Sequence, residues 1–397
     1  MQVLENDRSY RLFDKAIKSP KTKVVYHYLL KEFLSFTKCN TYDEIILFDV
    51  DKLQKTLEDY LLFLEEKGLK GSSIKTRLAP VLLFLDMNKK SYHKRVLRNL
   101  IPSKQGRMGG EAPFTTEEIR RMLNCTTKLR TRALIHFLAS TGVRPNAIAD
   151  PVLRMKHLEN IDSGCKAVKI YDDSDEAYWS FLTPEASKAL DDYIKSRKLN
   201  GEDITDESPI FTNSDDAFNV KNDYLSVTSL KHIITYLLKA AGIERTKTGA
   251  RYNKATSYGF RKRFNGILKM NNSVNSNIAE KLMAHKNGLD GVYLKPTRDQ
   301  CFNEFVKAII DLTIDDSERN KIKMAEMKNE LSEKDQLKIE LENVKEKFEL
   351  DHQFVQMFAH MVEGVGIQLI KPDGMPYEIE PEVINKAIKQ YVEDKQD

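Results

Sequence analysis

Between Pro102 and Pro113 the chain reads PSKQGRMGGEAP, a basic stretch bounded by prolines and carrying three glycines. Proline and glycine at that density continue neither helix nor strand. The segment predicts a linker, residues 104–112, that divides the 397 residues into a small first domain and a larger second one. Both sides are patterned as helix. Lys23 to Phe36 places Val24, Tyr28, Leu29, Phe33 and Phe36 near a 3.6-residue period, and Val50 to Lys67 repeats it through Leu53, Leu57, Tyr60, Leu61 and Leu64. Gly68 and Gly71 end that helix, and Ser72 or Ser73 can cap the next. Past the linker, Thr115 and Glu118 have the spacing of a capping box.

The expected fold is mainly α with one small β-hairpin: Ala167–Tyr171, an acidic turn over Asp172–Glu176, then Tyr178–Leu182. The expected order is an arm at 1–19, a helical domain at 20–103, the linker, a second domain at 113–315, a long helix at 316–362 and a tail at 363–397. Apolar residues of the long helix fall at steps of 3 and 4 broken by one step of 6, from Leu331 to Leu337. That pattern suits pairing with a second copy, or a helix folded back on its own body.

Charge is unevenly spread. The net is only +4, yet residues 68–108 hold ten Lys/Arg against the single acid Asp86. These are Lys70, Lys75, Arg77, Lys89, Lys90, Lys94, Arg95, Arg98, Lys104 and Arg107. Such a block suits the DNA backbone, where neutralised phosphates release counterions; a solvated helix face is the plainer alternative. Residues 316–397 carry a net of −7, which suits a protein-contact or regulatory region. No run of 18 apolar residues occurs and Met1 to Arg11 has no apolar signal core, so neither a membrane span nor a secretory signal is expected. Four dispersed cysteines and scattered histidines imply reduced thiols, a cytoplasmic setting and no metal or other cofactor.

Four short motifs then follow in order: Thr141-Gly-Val-Arg-Pro145, Tyr258-Gly-Phe-Arg261, Met283-Ala-His285 and Tyr293-Leu-Lys-Pro296. Phosphodiester transfer without a metal needs an in-line nucleophile, cationic donors for the non-bridging oxygens, and an acid for the leaving oxygen. Arginine serves the second need with a planar fork that stays charged. Arg144 sits in a turn that leads into a helix, where backbone N–H groups also favour phosphate. Arg261 opens a basic cluster with Lys262 and Arg263. Each motif alone has an ordinary structural reading. Their joint order is the informative feature.

Residues 113–312 resemble the catalytic domain of the tyrosine recombinase (phage-integrase-like) family, and residues 20–100 resemble its core-binding domain. The wording of 141–151, 258–264 and 285–293 is most similar to the archaeal integrase branch. The resemblance implies a DNA strand transferase that works without a cofactor. Tyr293 would attack the scissile phosphate to give a 3′-phosphotyrosine, Arg144 and Arg261 would stabilise the transition state, and His285 would contact the phosphate or assist proton transfer. It also implies double-stranded DNA as partner and a homo-oligomer, a tetramer on two duplexes. The residues expected at DNA are Lys70, Lys75, Arg77, Lys89, Lys90, Lys94, Arg95, Arg98, Lys262 and Arg263. Two departures stand out. Tyr258 occupies the place of the family's histidine three residues before the second arginine; it can donate to phosphate but is a poor base. The hairpin turn is acidic where the family has a lysine acid, leaving Lys169, or Lys166, as the nearest substitute. A type IB topoisomerase-like enzyme and an architectural DNA-binding protein with a decayed site are the competing readings.

Overall fold

The computed structural model describes residues 7–102, 112–172, 174–213, 224–248, 251–285, 294–365, 369–370, 376–377 and 386. The chain divides into two compact units, Met1–Met108 and Gly109–Asp397. The first consists of α1 (Arg8–Ala16), α2 (Pro20–Thr37), α3 (Tyr42–Ile46), α4 (Val50–Glu66), α5 (Gly71–Met87) and α6 (Lys94–Leu100). Ser19, Thr41 and Asp49 start α2, α3 and α4 by accepting backbone N–H groups of Thr22, Glu44 and Lys52. Phe33, Leu57, Tyr60 and Phe84 lie in its core. The stretch expected to be an arm is instead largely helical: α1 packs on α3 and α5 and buries Tyr10 and Phe13, with Ile17 buried just past its end. Three apolar residues over two turns are too few to show a period, and a nine-residue helix is held by packing, not by propensity.

The second unit begins with α7 (Thr116–Asn124), whose capping box joins Thr115 and Glu118 in both directions. Helix α8 (Leu129–Thr141) is buried along nearly its whole length, so it has no polar face. A short α9 (Asn146–Ala149) leads to an antiparallel sheet of β1 (Leu158–Asn160), β2 (Lys166–Ile170) and β3 (Tyr178–Leu182), in that order. The expected hairpin is present, with Ile170 opposite Tyr178; β1 is an additional edge strand. Then come α10 (Pro184–Leu199), α11 (Val227–Ala240), the pair β4 (Lys247–Thr248) and β5 (Arg251–Tyr252), α12 (Thr256–Met270) and α13 (Ser276–Leu282). Helices α14 (Arg298–Val306), α15 (Ile309–Leu312) and α16 (Asp316–Val365) follow, and β6 (Leu369–Ile370) pairs with β7 (Pro376–Tyr377). The architecture is thus mainly helical with small sheets, as expected from the sequence.

Helix α12 ties the unit together. Its Phe260 belongs to one apolar cluster, with Phe114 and Phe137, and its Phe264 to a second, with Phe181, Leu282 and Phe305. Arg261 lies between these two anchors in sequence and is itself only 6% exposed. Among the described residues no helix is long and apolar enough to cross a membrane.

Candidate functional site

Helix α8 ends on Gly142, which takes the left-handed conformation (φ +57°) that turns the chain out of the helix. Val143 is then buried, Arg144 follows half-buried, and Pro145 leads into α9. The turn expected around Arg144 is therefore present. Among the described residues no carboxylate or carbonyl accepts from its guanidinium.

Arg261 enters the same place from the first turns of α12. Its Nη1 donates to the Gly142 carbonyl at 2.9 Å and its Nη2 to the Met283 carbonyl at 2.5 Å. The same Nη2 lies 2.9 Å from Nε2 of His285. One side chain thus joins the end of α8, the end of α13 and the histidine. Burial, and then the nearby Arg144, lower the Arg261 pKa, while Tyr178 and Tyr258 oppose this. The guanidinium stays charged at neutral pH because its ordinary value is so high. Two cations close enough that one lowers the other's proton affinity are relieved by an anion placed near both.

His285 is oriented from behind. Its Nδ1 is 2.6 Å from Oε2 of Glu280, and Glu280 also pairs with Lys269. Arginine can only donate, so Nε2 accepts from Arg261 and Nδ1 carries the proton shared with Glu280. Burial alone would raise the Glu280 carboxyl, but Lys269 and His285 outweigh it and hold the pKa below the usual range. Tyr258, 48% exposed, stands at the start of α12 and interacts electrostatically with Arg261 and Tyr171.

An open cleft of about 700 Å³ is lined by Arg144, Tyr178, Trp179, Lys281, His285 and Lys295, among others. Tyr293 lies outside the described residues; the chain resumes at Leu294, which also lines the cleft. Arg144 and His285 line this cleft, and Arg261 contacts His285 and feels the charge of Arg144 and the phenol of Tyr258. The cleft offers a guanidinium, an imidazole and the Tyr178 ring, with the Arg261 guanidinium directly behind the imidazole.

Other expected residues are placed differently. Arg263 is not at a DNA surface: it is buried, and its Nη2 donates to Thr116 Oγ1 and to the carbonyls of Asp311 and Leu312. Burial brings its pKa down to about 10. The helical period explains the error, since two residues beyond Arg261 the side chain faces α15. Lys262 is half-buried. Lys169 pairs with Asp172 at 2.6 Å and lies over the Trp179 ring, and Lys166 bonds Asn160 and Asp191. The acidic turn thus engages the lysine that was expected to act as an acid. In the first unit Lys70, Lys75, Lys89, Lys94, Arg95 and Arg98 are exposed. By contrast, Arg77 pairs with Glu32 and Lys90 donates to the Phe48 carbonyl, and Lys94 also reaches Asp86.

Sequence reasoning missed Glu280, Lys269, Tyr171 and Tyr178. Glu280 precedes His285 by five residues across a helix end, a spacing that carries no signal by itself. The tyrosines flank the acidic turn, so the hairpin prediction held the clue.

Residues 113–289 match the family model described as "Phage integrase family". Among solved structures, the chain is similar to the Tn1549 transposon integrase in complex with transposon right end DNA: 15% identity over 75% of this chain and 98% of that one, TM-score 0.50. It is also similar to a lambda integrase dimer bound to a core site, at 14% identity over 73% and 93%, TM-score 0.47. The XerA recombinase matches at 19% identity over 75% and 97%, TM-score 0.35. A search of curated proteins found no match.

Proposed function

We propose that the chain is a site-specific DNA recombinase of the phage integrase family, which cleaves and rejoins DNA through a 3′-phosphotyrosine at Tyr293, with residues 113–289 in its catalytic domain. The observation that carries the reading is that Arg144 and His285, from separate segments, line one cleft with Leu294, while Arg261 contacts His285 from beneath it. In this reading Arg144 and Arg261 bind the two non-bridging oxygens of the scissile phosphate, and their donors strengthen as charge develops there. His285, held by Glu280, and Tyr258 complete the phosphate contacts. The ester conserves the energy of the broken bond, so the reaction needs neither ATP nor a metal. Tn1549 integrase is described in complex with transposon right end DNA, which supports DNA as the partner here. The exposed cations of the first unit then hold the backbone without reading sequence. Assembly into a tetramer on two duplexes, and membership of the archaeal branch, belong to the same proposal.

The test uses nicked DNA carrying a candidate recombination site, so that the cleaved state is trapped. The parent should give a denaturation-resistant protein–DNA adduct, and Tyr293→Phe and Arg144→Ala should lose it while still binding DNA. Tight binding without an adduct on any such DNA would favour an architectural protein instead.

A further inference from the structure

We infer that Tyr178, the first residue of β3, is a further phosphate ligand of this site, donating its hydroxyl hydrogen to a non-bridging oxygen of the phosphate that Arg144 and Arg261 hold. The inference rests on the functional reading above and adds to it a residue that no motif contains.

Its place is fixed by the seam between β3 and α8. Ser140 Oγ donates to the Phe181 carbonyl at 3.1 Å and accepts the Thr183 N–H at 2.8 Å, and Ser180 Oγ donates to the Thr141 carbonyl at 3.4 Å. The strand is therefore stapled to the helix end that carries Arg144. Tyr178 lines the same cleft as Arg144 and His285.

The hydroxyl itself is the unusual feature. Its oxygen is buried, and no described group accepts its proton. A buried polar hydrogen left unpaired costs free energy, and such groups are few in folded proteins. The charged groups that act on it are Arg261, which also donates toward its oxygen, and Arg144, and both can only donate. The missing partner is thus an acceptor, and an anion entering between the guanidiniums supplies one. Burial pushes the Tyr178 phenol up to about 12 although Arg261 and Arg144 pull it down. The group therefore remains an O–H donor at any working pH. Packing against Tyr171, at 6.3 Å between ring centroids, needs only the ring.

Tyr178→Phe keeps that ring and removes only the hydroxyl. Trp179, the only tryptophan in the chain, lines the cleft and reports on binding there. Four measurements are made on the full-length parent and variant. The DNA-free melting temperature should hold within a few degrees, because the hydroxyl hydrogen has no described acceptor to lose. Orthovanadate, titrated against Trp179 emission, should bind the variant several-fold more weakly. Adduct formation on nicked DNA should slow by about a hundredfold, the low end for losing one oxyanion donor. Equal vanadate responses in the two proteins, large or absent, would overturn the assignment. So would a fall in melting temperature that accounts for both losses, since that marks a structural tyrosine. Recovery of the variant on DNA with sulfur at the leaving 5′ position, which needs no proton, would move Tyr178 to the leaving group and overturn the non-bridging contact. If the parent forms no adduct but vanadate still separates parent from variant, the recombinase reading fails and the phosphate contact stands.

Discussion

Arg261 shows how much one side chain organises here. It holds the Gly142 and Met283 carbonyls and reaches His285 with a single guanidinium. Lysine has the charge but not the fork, so Arg261→Lys cannot keep these contacts and also bind phosphate. Single-turnover adduct formation by Arg261→Lys should fall at least about a hundredfold, with DNA binding reduced far less. A second residue-scale prediction concerns pH. His136 is buried in α8, and burial, then Arg132, bring its pKa down to about 4. Glu185 lies 3.8 Å away, too far for a hydrogen bond, so the imidazole is neutral at neutral pH. The unfolded chain takes up the proton near pH 6.5 while the folded one does not, so this contribution is complete above pH 6.5 and is lost as pH falls toward 4. The loss is roughly 3 kcal/mol. Urea unfolding between pH 7 and 4.5 should show a shallower pH dependence for His136→Gln than for the parent; parallel curves would refute the assignment.

At the scale of elements, the end of α8 decides the geometry of the site. A Cβ on Gly142 would lie 2.7 Å from the Phe264 side chain, and the backbone there is left-handed. Gly142→Ala should therefore cost about 2–4 kcal/mol, from the strained φ and from overpacking. Trp179 emission during urea unfolding would measure it, and because Gly142 also holds Arg261, adduct formation should fall with it. Glycine after an apolar helix and before Arg-Pro was readable in the sequence, as were the hairpin and the order of the two arginines and the histidine. Their partners were not. Glu280, Lys269 and Tyr178 reach the site through packing between elements, and no local period encodes that. The basic runs misled at Arg263 for the same reason: charge in a sequence does not say which face of α12 a residue takes. The segment before α2 misled because α1 is too short for a period to emerge.

At the scale of the whole molecule, α16 is a 50-residue helix, about 75 Å long, whose described side chains from Lys323 to His352 are all exposed. The start is well anchored. Asp315 Oδ1 caps it through Ser317 and Glu318, Arg319 donates to the Ile310 and Thr313 carbonyls, and Ile322 packs on the cluster around Phe305. Beyond that Met324, Met327, Leu331, Leu337, Leu341 and Val344 are all more than half exposed, on a helix dense in charge. Their steps fit two heptad frames offset by three residues between Leu331 and Leu337, the spacing of a stammer, which a coiled coil absorbs by local overwinding. A stripe of this kind gains burial only against another helix, and a second copy supplies one with the same spacing. A chain ending after Lys323 keeps the anchor and loses the stripe. Sedimentation with DNA should then give fewer protomers per complex, with the melting temperature of the remaining body unchanged. Leu337→Glu with Leu341→Glu should act the same way at full length, placing like charges where the frame needs apolar contact. An unchanged assembly state in both proteins would mean that α16 serves something other than pairing between copies.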